Sequence, residues 1–128
     1  PFLLLDAHFA GRRERPLTVI GPVGTKERLD AALEVFFPGS SRNRWRFPLE
    51  VIDLPCGTPH RVADLAFEST EVVHPSGAPS TGLRLEAGGR RLAYSGDTEW
   101  TDALVGIARG ADLLILECYG FAGAVPAH

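Results

Sequence analysis

The chain has 128 residues, 45% of them hydrophobic and 23% charged, with a formal net charge of −3. That length suffices for one domain with a core of its own, and no apolar run approaches the ~20 residues that span a bilayer. Phe2-Leu3-Leu4-Leu5 is too short for a signal-peptide core and follows no basic segment.

The chain starts at Pro1 and contains no Met, which predicts a processed product or a fragment. Cys56 and Cys118 lie far apart without CxxC spacing, which argues against a zinc ribbon or a disulfide scaffold. They are expected as reduced core thiols of a cytoplasmic protein, one long-range disulfide being the alternative. Residues 1–47 hold eight basic and five acidic residues, whereas 48–128 hold five basic and eleven acidic. A basic first third beside an acidic remainder suits an anionic substrate, and a solvated surface is the plainer reading.

In chain order, Pro1 to Phe9 predicts a helix with apolar residues at 2, 5 and 9, ended by the exposed loop Gly11 to Pro16. Leu17 to Ile20 predicts a short buried strand, stopped by Gly21-Pro22. Thr25 is expected to cap a helix from about Lys26 to Phe37, ended by Pro38-Gly39. Residues 38–47 form an Arg-rich stretch around Trp45, expected as an exposed insertion in a single partial domain covering 1–128. Leu49 to Leu54 alternates as a strand, and Pro55 to His60 is turn chemistry. Leu65 to Val73 is strand-like and ends at His74-Pro75. Leu83 to Glu86 and Arg91 to Tyr94 predict a hairpin turning on Gly88-Gly89. Trp100 to Arg109 predicts a helix stopped by Gly110, and Leu113 to Leu116 a strand buried on both faces. A Gly/Ala/Pro loop then runs to His128. Strands joined by both helices and hairpins make an α/β pattern of helices on largely buried sheets.

The chemistry concentrates at Ser95-Gly96-Asp97-Thr98. A carboxylate directly after a buried strand is costly unless a cation or hydrogen-bond donors receive it. Ser95 and Thr98 are candidate donors, and Gly96 permits an unusual backbone angle. The competing reading makes Asp97 or Thr98 a cap for the next helix. His74 ends another strand, where Pro75 enforces an extended exit; alone it reads as an ordinary strand-end residue. His128 alone says nothing. Together His74, Asp97 and His128 emerge from successive segment ends, the way zinc-type sites are assembled from distant stretches.

These stretches resemble the metallo-β-lactamase fold superfamily, in its ribonuclease Z-like and phosphodiesterase-like branch. The resemblance rests on Leu17 to Pro22 with Gly24-Thr25, on Val72-Val73-His74, on Tyr94 to Thr98, on Gly110 to Cys118, and on His128. It implies part of a four-layer αβ/βα sandwich with mixed sheets. It also implies a hydrolase in which two divalent metal ions, zinc first with manganese or iron compatible, hold a bridging hydroxide. On this resemblance His74 binds the first metal, Asp97 bridges the two and His128 binds the second, with Asp97 and His74 as the catalytic pair. The family's HxHxDH motif is absent, and a leucine-rich helix like that at Phe2 to Leu5 directly follows it in relatives. The chain is therefore expected to begin just downstream of that motif, and three ligands of roughly seven would hold metal weakly.

Weaker candidates stand beside this site. Gly21 to Lys26 opens a helix and offers backbone N–H groups to an anion, without P-loop spacing; plain helix entry is the preferred reading. Arg42, Arg44 and Arg46 around Trp45 suit nucleic acid by charge and stacking, against the preferred reading of a solvated loop. His8 and His60 are expected as non-ligands. Ser76 and Ser80 are placed near the substrate cleft, and Glu117 beside the site as an orienting carboxylate. The expected function is cleavage of phosphodiester bonds, RNA included. Hydrolysis of an ester, lactone or thioester is the alternative, as is a metal-free remnant used for binding or assembly. A homodimer is compatible with all three, and no membrane partner is expected.

Overall fold

The computed structural model describes residues 1–118, so the expectation for His128 lies outside the described residues. By its contacts the chain divides into two compact units, Pro1–Leu54 and Pro55–His128.

The first unit is built on helix α1 (Phe2–Phe9), strand β1 (Leu17–Gly21), helix α2 (Thr25–Phe36), a single 3-10 turn (Ser40–Arg42) and strand β2 (Leu49–Asp53). Its core joins Leu4, Leu33 and Phe47, with Ala7, Leu17, Leu29, Trp45 and Leu49 packed around them. The inward residue of α1 is Leu4, not the expected set at 2, 5 and 9: Phe2 and Phe9 are exposed. A helix that opens Phe-Leu-Leu-Leu offers apolar groups on every side, so periodicity alone does not select its buried face.

Strands β1 and β2 pair in parallel, from Leu17 opposite Leu49 to Gly21 opposite Asp53. A parallel pair requires a crossover, which α2 supplies. Helix α2 starts after Gly24, which adopts φ +89°. Asp53, at the end of β2, accepts hydrogen bonds from the N–H groups of Gly24 at 2.8 Å and Thr25 at 3.1 Å. The expected cap, Thr25, instead donates its hydroxyl to the Pro22 carbonyl at 2.6 Å. Two of the N–H groups considered for an anion are thus already taken by Asp53, and plain helix entry is what the fold displays.

Within residues 38–47 the side chains of Arg42, Arg44 and Arg46 are exposed while Phe47 is buried. Trp45 stacks on Phe47 with ring centroids 5.9 Å apart. The Glu34 carboxylate holds the turn by accepting from the N–H groups of Gly39 and Ser41 and from the Ser41 hydroxyl.

The second unit carries a five-stranded sheet in the order β3 (His60–Val62), β4 (Leu65–Glu71), β5 (Thr81–Ala87), β6 (Arg90–Tyr94) and β7 (Leu113–Ile115). Pairing is antiparallel from β3 to β6 and parallel between β6 and β7. With β1 and β2, the described residues form an α/β fold with mixed sheets. The short strand β3 falls partly in what reads as turn chemistry; His60 pairs opposite Phe67, and their rings lie 5.4 Å apart. The β5–β6 hairpin turns at Gly88 and Gly89, φ +56° and +71°, as expected for a Gly-Gly turn.

Helix α3 (Asp102–Ala108) packs Leu104 and Ile107 against Val72 and Ala93. Gly82 allows this approach, because a Cβ there would lie 2.5 Å from Ile107 Cδ1. Trp100 precedes the helix instead of starting it and is 74% exposed. Arg90 and Arg91 anchor the next segment: Asp112 accepts from the Arg91 N–H at 2.8 Å and from the Arg90 guanidinium at 3.0 Å.

Two burial expectations are corrected. Leu113 to Leu116 are 44–56% exposed, and among the described residues β7 is the last strand of its sheet and pairs with β6 alone. Cys56 and Cys118 are exposed thiols outside any disulfide, not core residues. Among the described residues no helix is long and apolar enough to cross a membrane.

Candidate metal centre

The corner after β6 is built by hydrogen bonds from three segment ends of the second unit. Ser95, fully buried, donates its N–H to the Ile115 carbonyl at 3.0 Å and its hydroxyl to the Gly96 carbonyl at 2.7 Å. The same hydroxyl accepts the Glu117 N–H at 2.9 Å. Gly96 has φ +64°, and a Cβ there would sit 2.8 Å from the Thr81 carbonyl oxygen. Only glycine fits this turn without strain.

Thr98 is the node of the corner. Its side chain is buried, accepts the Val73 N–H at 3.1 Å and donates to the Glu99 carbonyl at 2.7 Å. Its own N–H donates to Glu117 Oε2 at 2.7 Å. The Glu99 N–H adds a bond to the Val73 carbonyl at 2.8 Å. The chain leading from β4 to His74 is therefore tied to Thr98 and Glu99, the two residues that follow Asp97, and the chain leaving β7 is tied to the same corner.

Asp97 itself is exposed. The expectation that Ser95 and Thr98 donate to its carboxylate is corrected, since both hydroxyls serve backbone partners instead. The helix-cap reading is also set aside: Thr101 caps α3, accepting from the Ala103 N–H at 3.4 Å. Asp97 stands on a rigid turn with its carboxylate facing solvent, a placement compatible with metal ligation and not enforced by burial.

His74 is half-buried beside the corner. Its carbonyl accepts from the Ser76 N–H at 2.9 Å and from the Ser80 hydroxyl at 3.0 Å. Ser76 and Ser80, whose hydroxyls lie 2.9 Å apart, thus shape the loop that carries His74. In the first unit, His8 accepts the Arg46 N–H on Nδ1 at 3.1 Å. Glu117, expected as a carboxylate that orients a metal-bound histidine, accepts the Thr98 N–H. The latching role of Thr98 carried no signal in the sequence, because it depends on which strand ends become neighbours.

An imidazole and a carboxylate are suitable donors for zinc-type ions. Their number falls short: no group of three or more His, Cys, Asp or Glu that could hold a metal occurs among the described residues.

A profile described as "Beta-lactamase superfamily domain" matches residues 4–124. The chain belongs to this family. Its curated relatives include ribonuclease Z of Limosilactobacillus fermentum, 28% identical over 166 residues, covering 91% of this chain and 52% of the relative. Ribonuclease Z of Mycobacterium marinum is 32% identical over 107 residues, covering 78% of this chain and 38% of the relative. The chain spans about half the length, or less, of the curated relatives it matches.

Solved structures agree on the fold. The short form of human tRNase Z (ELAC1) superposes with a TM-score of 0.64 at 21% identity, covering 89% of this chain and 50% of that one. The metallo-beta-lactamase fold protein YhfI of Bacillus subtilis gives 0.62 at 18% identity, covering 88% and 41%. Zinc-bound PqqB of Methylobacterium extorquens gives 0.60 at 19% identity, covering 84% and 40%. The metallo-β-lactamase fold expected from the motifs is therefore the fold of this chain.

Proposed function

We propose that the protein to which this chain belongs is a metal-dependent hydrolase of phosphodiester bonds, RNA among them. His74, Asp97 and His128 would contribute ligands, and the remaining ligands would come from elsewhere in the protein. The observation that carries the reading is the Thr98 node, where bonds of 2.8 and 3.1 Å from Val73 to Glu99 and Thr98 tie the segment bearing His74 to the corner bearing Asp97. Relatives named ribonuclease Z support the choice of bond. Divalent ions at such a site supply a water that is nucleophilic at neutral pH.

The test is the metal content of the full-length protein and its Asp97→Ala variant by elemental analysis, alongside turnover of bis-p-nitrophenyl phosphate. Loss of bound metal and of turnover in a folded variant is expected. Unchanged metal content would sink the assignment of Asp97. Turnover of carboxyl esters in place of the phosphodiester would move the reading to an ester, lactone or thioester hydrolase of the same fold.

The alternative reading is a metal-free module used for binding or assembly. It predicts a full-length protein that takes up no zinc, manganese or iron after dialysis against each ion.

A further inference from the structure

The two arginine-rich loops of the first unit, far apart in sequence, are both fastened to the last turn of α1. The Arg13 N–H donates to the Ala7 carbonyl at 2.8 Å, and the Arg46 N–H donates to His8 Nδ1 at 3.1 Å. Ala7 and His8 are consecutive, so residues 12–15 and 42–46 leave α1 from adjacent points. The His8 ring also meets Trp45 edge-on at 5.5 Å, which fixes the second loop against the helix. Across residues 8–15 and 42–46 there are six arginines, one acidic residue (Glu14) and no lysine.

The side-chain bonds divide these arginines by role. Arg13 is structural: its guanidinium donates to the carbonyls of Arg15 at 2.8 Å and Pro16 at 2.7 Å. Arg42 lies close enough to Glu34 to help hold that carboxyl below its ordinary range, after the bonds from Ser41 and Gly39. The exposed guanidinium groups of Arg12, Arg15, Arg44 and Arg46 form no hydrogen bond or ion pair with the described residues. Arg12 moreover adopts φ +44°, a left-handed conformation that disfavours any residue with a side chain other than Asn or Asp. Arg12, Arg13 and Arg15 line an open depression beside α1, whose only acidic residues are Asp6 and Glu14.

We infer that Arg12, Arg15, Arg44 and Arg46 form a phosphate-binding surface that holds the backbone of an RNA. The inference deepens the phosphodiester reading above by naming a contact surface for its substrate. The exclusive use of arginine favours this partner, since the guanidinium fork meets phosphate oxygens two at a time. A lipid surface fits less well, because membrane-surface helices carry their Lys and Arg along the polar face of the helix. Helix α1 has only Asp6 and His8 as polar residues, and the arginines stand on loops. Trp45 is already stacked on Phe47, so binding rests on phosphate contacts and is expected to depend strongly on salt and little on sequence.

The experiment is fluorescence anisotropy of a labelled RNA hairpin with a single-stranded tail, titrated with the full-length protein and with its Arg12→Ala/Arg15→Ala/Arg44→Ala/Arg46→Ala variant over a range of salt. The variant is expected to bind at least about tenfold more weakly at about 0.1 M salt, with the slope of log affinity against log salt reduced by about three. Unchanged affinity and slope would overturn the proposal, as would binding of the wild type to anionic phosphatidylglycerol vesicles but not to RNA. Turnover of bis-p-nitrophenyl phosphate by the same variant separates the two readings. RNA binding lost with turnover kept supports the surface, turnover absent in both proteins fails the hydrolase reading alone, and RNA binding kept fails the surface alone.

Discussion

The Thr98 hydroxyl receives the Val73 N–H at 3.1 Å and so locks the exit of β4 to the corner after β6. Because the Thr98 side chain is buried, removing the hydroxyl while keeping the shape leaves a backbone N–H without its partner. Thr98→Val is expected to lower stability by about 1–3 kcal/mol, read as a lower urea midpoint at constant slope. Thr98→Ser retains the bond and should recover most of the loss. Equal midpoints for Thr98→Val and wild type would show that the latch contributes nothing.

Neighbouring positions of the same corner should respond in opposite ways. Gly96→Ala places a Cβ 2.8 Å from the Thr81 carbonyl oxygen in a left-handed conformation, and a loss above about 1–2 kcal/mol is expected. Asp97→Ala removes an exposed group and should change stability by no more than about 0.5 kcal/mol. Thermal unfolding of the two variants side by side checks the contrast; a large loss for Asp97→Ala would mean that its carboxylate is structural.

Asp53 caps α2 from outside the helix, accepting from Gly24 and Thr25. Asp53→Ala strips both N–H groups of their acceptor and removes a negative charge from the helix N-terminus. A loss of about 1 kcal/mol is expected, measurable by urea unfolding. Asp53→Asn, which keeps one acceptor oxygen, should fall between wild type and alanine.

Asp112 links stability to acid. Its bond from the Arg91 N–H, then that from the Arg90 guanidinium, holds its carboxyl below the ordinary aspartate range. A carboxyl depressed in the folded state binds its proton more weakly there than in the unfolded chain. Its stabilisation is therefore complete above the unfolded value, about 3.9, and is lost as pH falls through the lower folded value. Asp112→Asn should flatten the acid limb of a stability-against-pH curve below about pH 4 and leave its neutral plateau shape unaltered. An acid limb of unchanged steepness would remove Asp112 from the account.

Local chemistry made much of the fold legible. Gly88-Gly89 marked the hairpin, Pro38-Gly39 ended α2, and the alternation at Leu49 to Asp53 marked β2, because each is decided by neighbouring residues. What escaped depends on partners far along the chain. Asp53 reads as an outward strand residue until β2 lies beside β1, when it meets the start of α2. Leu113 to Leu116 reads as a central strand because apolar composition reports an environment and says nothing about which edge of the sheet is paired. At the candidate site, the placing of His74 and Asp97 just after strands was legible, and so was the corner glycine as a turn needing an unusual backbone angle. The wiring among Ser95, Thr98 and Glu117 was not, since a hydroxyl after a strand is equally suited to a carboxylate, a cap or a carbonyl.

The exposed Leu113-Leu114-Ile115-Leu116 run, in and just after a strand that among the described residues pairs on one side, has a practical consequence. A short, uncharged, apolar edge strand is a template on which another chain can add its own strand. Residues 1–128 produced alone are therefore expected to self-associate with rising concentration, and a lysine at Leu114 should restore a single sedimenting species. Handling of this polypeptide would then be governed by three residues of open ladder, independently of any chemistry at Asp97.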